Sequence, residues 1–226
     1  TQPKMRIRFS TSNPQDMSLA VIKVMAKYDN ICNYIHLPVQ SGSDKVLKAM
    51  NRKHTRDEYI NLINNIYNII PDCSISHDMI SGFPNESEQD HKDTLTLMES
   101  VKYSFGYMFK YSERPGTPAA RKLEDNVDEK TKSRRLSEIV ELQQRHSLFR
   151  SEQFIGKIVE VLIEKESKKS SSQWAGRNQQ NSTVVFPKGN YNVGDFVNVK
   201  INNCTSATLM GCLLYTSDAA DEPSSV

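Results

Sequence analysis

The sequence predicts an α/β domain of parallel strands with crossover helices, followed by a small all-β barrel. Over residues 1–120, short strand-like apolar runs alternate with amphipathic helical stretches, the pattern of parallel strands joined by helices. Over residues 157–214, short β-rich pieces are separated by turn segments, as in small barrels that bind oligonucleotides. A long charged helix lies between them, in a linking segment that we place at residues 121–156.

The elements of the first part follow from hydrophobic periodicity. Strands are predicted at residues 5–9, 34–39, 73–81 and 105–112. Helices are predicted at residues 16–27 and 43–50 and from residue 87 onward. The best-specified helix begins at a capping box of Thr55 and Glu58 and stops at Pro71.

The second part is predicted to start where the long helix ends. Asp128 caps that helix, whose apolar positions continue almost to Gly156. Strands are then predicted at residues 158–165, 182–186, 196–201 and 207–211. The segment KESKKSSSQ, residues 165–173, is interpreted as a solvated hairpin loop whose lysines are candidate phosphate contacts.

Composition favours a soluble globular protein. The 226 residues are 37% hydrophobic and 25% charged. No apolar run approaches the roughly 18 residues of a spanning helix, and the start has no apolar signal-peptide core. We therefore expect a cytoplasmic protein without membrane contact. The net charge is +2, but residues 1–216 contain 29 basic and 24 acidic side chains, a net +5 that is compatible with a polyanion partner.

The cysteines predict no metal site. Cys32, Cys73, Cys204 and Cys212 lack the spacing of a cysteine metal motif. We interpret them as small buried thiols in a reducing compartment, in preference to disulfides or ligands.

Polar residues follow the predicted strands, at the edge where parallel sheets place their chemistry. Gln40, Ser41 and Ser43 come after the second strand and offer amide and hydroxyl groups to a polar ligand, although Ser43 is equally suited to be a helix N-cap. Asp78 lies in the third strand, where a buried carboxylate needs a partner. Gly82 after it permits close approach of the backbone.

Two further residues follow the last strand of the first part. Tyr111 and Arg114 lie just beyond it, and Arg114 could clamp a carboxylate or phosphate or form a surface salt bridge. His36 and His77 are interpreted as hydrogen-bonded core residues. The motifs of common hydrolases and kinases are absent, so the residues alone indicate a polar-ligand domain joined to a basic β module.

Several linked motifs resemble one family. RIRFSTSNP, IHLPVQSGSDKVLKAMNRKHT, DMISGFPNESEQD, YSERPGTPAA and AGRNQQNSTVVF occur in this order, over about residues 4–211, as in the radical SAM methylthiotransferases. The resemblance implies a partial TIM-type radical SAM barrel followed by a TRAM domain, the RNA-binding β module. It also implies tRNA as partner and a monomeric full-length parent.

The resemblance further implies the chemistry. In the family, a [4Fe-4S] cluster cleaves S-adenosylmethionine, the resulting radical abstracts hydrogen from an adenine carbon, and sulfur from a second cluster attacks it. For the members of the family that act on N6-isopentenyladenosine in tRNA, the product is the methylthiolated form of this nucleoside next to the anticodon. A relative that acts on threonylcarbamoyladenosine in tRNA and a catalytically inactive RNA-binding remnant are the alternatives.

The resemblance also assigns site residues, through the positions at which this sequence matches the motifs of the family. The resemblance places Gln40, Ser41 and Ser43 on the ribose and methionine side of S-adenosylmethionine, and Asp78, Ile80 and Gly82 at its adenosine end. It places Tyr111 and Arg114 near the reacting centre or the RNA. The candidate RNA contacts of the β module are Lys168, Lys169 and Arg177.

The sequence departs from the family at both ends. The cysteines that hold the two [4Fe-4S] clusters in the full-length parent are not found in this chain, so we expect a fragment without the N-terminal domain and the cluster motif. The family match ends after Gly211, and residues 212–226 are expected to be a non-native tail.

Overall fold

The computed structural model describes residues 4–11 and 13–214, with the side chain of residue 9 left aside. Its first part is a four-stranded parallel sheet in the order β1-β2-β3-β4. The strands of this sheet are β1 Ile7–Ser10, β2 Ile31–His36, β3 Ser74–Ser81 and β4 Phe105–Lys110. The second part is a closed five-stranded barrel in the order β5-β6-β7-β9-β8. The predicted fold class is confirmed.

Helices connect the strands, and their ends are set by caps. They are α1 Leu19–Lys27, α2 Asp44–Ala49, α3 Arg56–Ile69, α4 Glu88–Val101, α5 Pro118–Lys122 and α6 Glu129–Glu152. The capping box of Thr55 and Glu58 forms as predicted, and a second box joins Ser87 to Asp90 at the start of α4. No helix within the described ranges is long and apolar enough to cross a membrane.

The core of the first part lies between the helices and one face of the sheet. Ile35 of β2, Ile75 and Met79 of β3, Tyr59 of α3 and Leu97 of α4 are all fully buried there. Because successive side chains of a strand point to opposite faces, the other face of the sheet carries polar residues such as Asp78 together with aromatic side chains of β4.

The helix predicted as a linker is packed onto this core. Ile139 and Leu142 of α6 are buried in the same cluster as the sheet residues. Polar residues of α6 are buried beside them because they are hydrogen-bonded: Gln143 binds His77 at 2.8 Å and donates to the carbonyl of Tyr103 at 3.0 Å. The segment at residues 121–156 therefore contributes structure to the sheet domain.

The barrel differs from the prediction in one strand and at its end. Its strands are β5 Ile158–Ser167, β6 Ser170–Arg177, β7 Thr183–Pro187, β8 Phe196–Cys204 and β9 Leu209–Leu213. The predicted loop at residues 165–173 was wrong except at residues 168 and 169, because residues 165–167 belong to β5 and residues 170–173 to β6. Ser170 pairs with Ser167 of β5, and Gln173 pairs with Pro187 of β7. Cys212 and Leu213, expected in the tail, pair with β8, and residues 215–226 lie outside the described residues.

A buried arginine joins the two parts. The Arg6 side chain, 3% exposed, donates to the carbonyls of Glu160 at 2.8 Å and Arg177 at 2.5 Å. Its guanidinium lies 5.0 Å from the ring centroid of Phe196. Gln180 adds a hydrogen bond to Asp72 at 2.6 Å, so the barrel is seated near the amino ends of the sheet strands.

Burial of His77 predicts a dependence of stability on pH. Desolvation lowers its pKa to about 4, against the hydrogen bond to Gln143. Since the unfolded histidine titrates near 6.5, the unfolded chain binds a proton between pH 6.5 and 4 that the folded chain does not. Stability conferred by neutral His77 is therefore complete above pH 6.5 and is lost as the pH falls.

The test compares wild type with His77→Gln by urea denaturation at pH 7.5 and pH 4.5. Wild type is expected to lose about 2–3 kcal/mol more than the variant on acidification. An equal loss in both proteins would contradict this account of His77.

Candidate functional site

A cleft opens at the carboxyl edge of the sheet, where the loops after β2, β3 and β4 meet. It has a volume of about 760 Å³. Five of the predicted site residues, on different segments of the chain, line it: Gln40, Asp78, Ile80, Tyr111 and Arg114. The other lining residues include Arg52, Phe83, Phe109, Lys110 and Ser112. The position agrees with the rule that parallel sheets hold ligands at the carboxyl ends of their strands.

Gln40 is held over β3 by backbone pairing. Its N–H donates to the carbonyl of Asp78 at 2.9 Å, and its carbonyl accepts from the N–H of Ile80 at 3.0 Å. Gln40 adopts a positive φ of 76°, which a side chain with a Cβ rarely adopts. Such strain persists only where surrounding contacts hold it, and it is frequent at binding sites. The side chain is 8% exposed and borders the cleft.

Asp78 presents a partly exposed carboxylate from β3 to the cleft. Its side chain is 25% exposed, and its Oδ1 lies 3.5 Å from Nε2 of His36. The other ring nitrogen of His36 is hydrogen-bonded to Ser76 Oγ at 2.9 Å, and the Tyr34 hydroxyl meets the same Oγ at 2.8 Å. His36 is therefore hydrogen-bonded, as predicted, but it lies on the polar face of the sheet and orients the cleft carboxylate.

Arg52 adds a guanidinium to the cleft that the sequence analysis did not single out. Burial lowers its pKa, and the carboxylate of Asp78 opposes that shift. The residue lies within the segment NRKH just after α2, where Arg52 and Lys53 are adjacent and the sequence does not show which of them faces a site. Only its position in the fold, across from β3, indicates a role.

Ser41 and Ser43 face away from the cleft. Ser43 caps α2 by accepting from the N–H of Val46, and its hydroxyl donates to Asp90 at 2.6 Å. Burial alone would raise the pKa of Asp90, but hydrogen bonds from Lys45, Ser43 and Ser87 lower it overall. Ser41 is 3.3 Å from the hydroxyl of Thr94, so both serines fix the loop to α4.

Gly82 also lies outside the cleft and shapes the turn after β3. It has a φ of 74°, and a Cβ there would collide with the side chain of Lys132. Its N–H and that of Phe83 donate to the Glu86 carboxylate at 2.5 and 3.0 Å. Burial raises the pKa of Glu86, against the pull of Arg135 3.4 Å away.

Tyr111 and Arg114 form the outer wall of the cleft. The Tyr111 N–H donates to the carbonyl of Ser81 at 2.8 Å, and its ring contacts that of Phe83 edge-on, with centroids 5.0 Å apart. Arg114 is exposed, and its carbonyl accepts from the hydroxyl of Thr117, which caps α5.

The barrel residues are separate from this cleft. Lys168 and Lys169 are exposed at the β5–β6 turn. Arg177 donates to Asn181 at 2.9 Å and lies 3.4 Å from Glu164. It borders a second cavity of about 300 Å³ between the barrel and the sheet.

The four cysteines are free thiols, and the prediction that all are buried holds for Cys32 and Cys73 but is wrong for Cys204, which is half-buried, and for Cys212, which is exposed. Within residues 4–11 and 13–214, no group of three or more His, Cys, Asp or Glu side chains is placed to hold a metal ion. Burial raises the pKa of the Cys73 thiol to about 12, which disfavours the thiolate that metals require.

Comparison with known proteins supports two functional parts. Residues 1–98 match the radical SAM superfamily, and residues 152–214 match the TRAM domain. The fold is also similar to that of coproporphyrinogen III oxidase (HemN) from Escherichia coli, a radical SAM enzyme. The TM-score is 0.53 at 14% identity, over 77% of this chain and 46% of that chain.

Curated relatives are much more similar in sequence. The tRNA-2-methylthio-N(6)-dimethylallyladenosine synthase of Christiangramia forsetii is 68% identical over 96% of this chain and 45% of its own length. The enzymes of the same name from Flavobacterium johnsoniae and Bacteroides fragilis are 68% and 52% identical, over 92% of this chain. They are covered over 44% and 46% of their lengths, so the chain spans less than half of these relatives. The resemblance predicted from the sequence is confirmed.

The cap at Ser43 predicts a structural effect of its removal. Ser43→Ala deletes the N-cap and the hydrogen bond to Asp90, so it is expected to lower the free energy of unfolding by about 1–2 kcal/mol. Ser112→Ala, at an exposed position lining the cleft, is the matched control and is expected to stay within about 0.5 kcal/mol of wild type. Urea denaturation measures both. Equal stability of the two variants would contradict a structural role for Ser43.

Proposed function

Because this chain belongs to the radical SAM methylthiotransferases, we propose that it is the part of a tRNA methylthiotransferase that binds S-adenosylmethionine and RNA. The whole enzyme would methylthiolate N6-isopentenyladenosine of tRNA, the reaction named for the curated relatives. One observation carries the proposal: Gln40, Asp78 and Ile80 border one cleft at the carboxyl edge of a parallel sheet.

The cleft suits S-adenosylmethionine by its donor and acceptor groups. The Asp78 carboxylate can accept hydrogen bonds from hydroxyl or ammonium groups, and the Gln40 amide can both donate and accept. Ile80 supplies apolar surface for a purine, and the guanidinium groups of Arg52 and Arg114 match a carboxylate. A volume of about 760 Å³ lies in the range of small-molecule sites.

Ser41, Ser43 and Gly82, three of the residues predicted to bind the cofactor, would support the binding site indirectly. Ser41 and Ser43 hold the loop that carries Gln40, and Gly82 permits the turn that ends β3 beside Ile80. They would position the cleft and would not touch the ligand. Tyr111 and Arg114 would face the reacting centre or the incoming RNA.

The cofactor, when bound, supplies a radical for C–H activation and a methyl group for transfer to sulfur. The [4Fe-4S] clusters implied by the family do not fit the residues described here, because no cysteine group among them could hold one. The residues of this chain would bind and orient the cofactor and the nucleotide and would shield them from water.

The barrel would hold the tRNA. Its TRAM sequence match and the exposed Lys168 and Lys169 support a surface for phosphate contacts, with Arg177 nearer the sheet. We propose a cytoplasmic enzyme, monomeric in its full-length form.

Asp78→Asn is expected to weaken binding of S-adenosylmethionine by the 226-residue chain. A charge-assisted hydrogen bond is worth about 1.5–3 kcal/mol, so the Kd should rise roughly 10- to 100-fold in isothermal titration calorimetry. The variant keeps the shape of the side chain, so the fold should be unaffected.

Glu141→Gln is the matched control. It removes one negative charge from the exposed face of α6, outside the cleft, and should leave the Kd unchanged. Equal affinity of wild type and Asp78→Asn, or equal losses in both variants, would contradict the proposed binding role of Asp78.

A further inference from the structure

Three large aromatic side chains are exposed on one face of β4. Phe105, Tyr107 and Phe109 have 48%, 51% and 52% of their surface accessible. They alternate along the strand, so all three point to the same side of the sheet. We call these three residues the aromatic stripe.

The aromatic stripe faces the cleft side of the sheet, away from the apolar core. In the pairing of β3 with β4, Tyr107 lies beside Asp78 and Phe109 beside Ile80. The opposite face of β4 at Gly106, between Phe105 and Tyr107 in sequence, lies against the ring of His77. The stripe therefore does not contribute to the core packing of the described residues, and its exposure needs another explanation.

The stripe connects the two cavities. Phe109 lines the cleft of about 760 Å³, while Phe105 and Tyr107 line the cavity of about 300 Å³ beside the barrel. The rings of Phe105 and Tyr107 are perpendicular, with centroids 5.0 Å apart. The three aromatic side chains thus lie in a row along β4, between the proposed cofactor site and the cavity beside the TRAM barrel.

Positive charge borders the stripe at its cleft end. The charged residues lining the cleft are Arg52, Lys110 and Arg114 with Asp78, and Lys110 is paired with Glu129 at 2.9 Å, so the cleft keeps a net charge of +1 with this partner counted. Arg177, at the second cavity, is balanced by Glu164 3.4 Å away. A partner that is anionic and also offers flat apolar faces matches both properties, and single-stranded nucleic acid is such a partner.

We infer that the aromatic stripe stacks unpaired bases of the RNA substrate and guides them from the TRAM barrel into the cleft. Alternate residues of a strand lie about 6.6 Å apart, a spacing that extended nucleotides can follow. Sheet aromatics that stack two or three bases are an established mode of RNA recognition. The inference rests on the proposed function, since it names the surface on which the tRNA loop would lie.

The test uses the full 226-residue chain and a hairpin RNA patterned on an anticodon arm, with 2-aminopurine in its loop. Fluorescence anisotropy gives the Kd, and quenching of 2-aminopurine reports stacking. The triple variant Phe105→Leu, Tyr107→Leu, Phe109→Leu is expected to raise the Kd at least about tenfold and to abolish quenching. The dependence of log Kd on log salt should keep its slope, because the phosphate contacts remain.

The controls are Tyr28→Leu and Phe149→Leu, whose side chains are 49% and 43% exposed elsewhere on the chain. They should bind the hairpin like wild type. Should the triple variant fail to fold by circular dichroism, Tyr107→Leu alone replaces it, with the expected rise about fivefold.

Two different failures can be told apart. If wild type binds the hairpin and the triple variant binds it equally well, the stripe is not the RNA surface. A change only in the oligomeric state would then assign the stripe to protein contacts. If wild type binds no hairpin RNA at all, the proposed RNA-binding function fails, and the inference falls with it.

Discussion

The pairing of the Gln40 backbone with β3 is the constraint on which the cleft depends. Two hydrogen bonds, to the carbonyl of Asp78 and from the N–H of Ile80, continue the sheet beyond the end of β2. They hold Gln40 at a positive φ and so offset the strain of that conformation. Without this pairing, the loop after β2 would not lie beside the carboxylate of Asp78, and the cleft would lose one wall.

Because side chains alternate between the two faces of a strand, neighbouring residues of β3 have different roles, one in core packing and one in the cleft. His77 and Asp78 are neighbours in β3, yet His77 is buried against α6 and Asp78 faces the cleft. Residues of the loop after β2 also have different roles: Gln40 borders the cleft, while Ser43 caps α2 and donates a hydrogen bond to Asp90. Substituting neighbouring residues should therefore change different properties, ligand affinity in one case and stability in the other.

Much of this arrangement could be predicted from local patterns. The capping box at Thr55 is set by two residues of one helical turn, and the strand-end rule located Gln40 and Asp78. Other features depend on distant partners. The start of β6 was predicted as a loop because the pairing of Ser170 with β5 and of Gln173 with β7 leaves no local signal. The burial of Gln143 in α6 is explained only by its distant partners, His77 and the carbonyl of Tyr103.

We propose that S-adenosylmethionine occupies the cleft between Gln40 and β3, and methyl-labelled isoleucine NMR of the 226-residue chain can detect it there. We expect nuclear Overhauser effects between ligand protons and the methyl groups of Ile80, which lines the cleft, and none to Ile75, which is buried on the opposite face. Effects that reach isoleucines outside the cleft while Ile80 stays silent would contradict it.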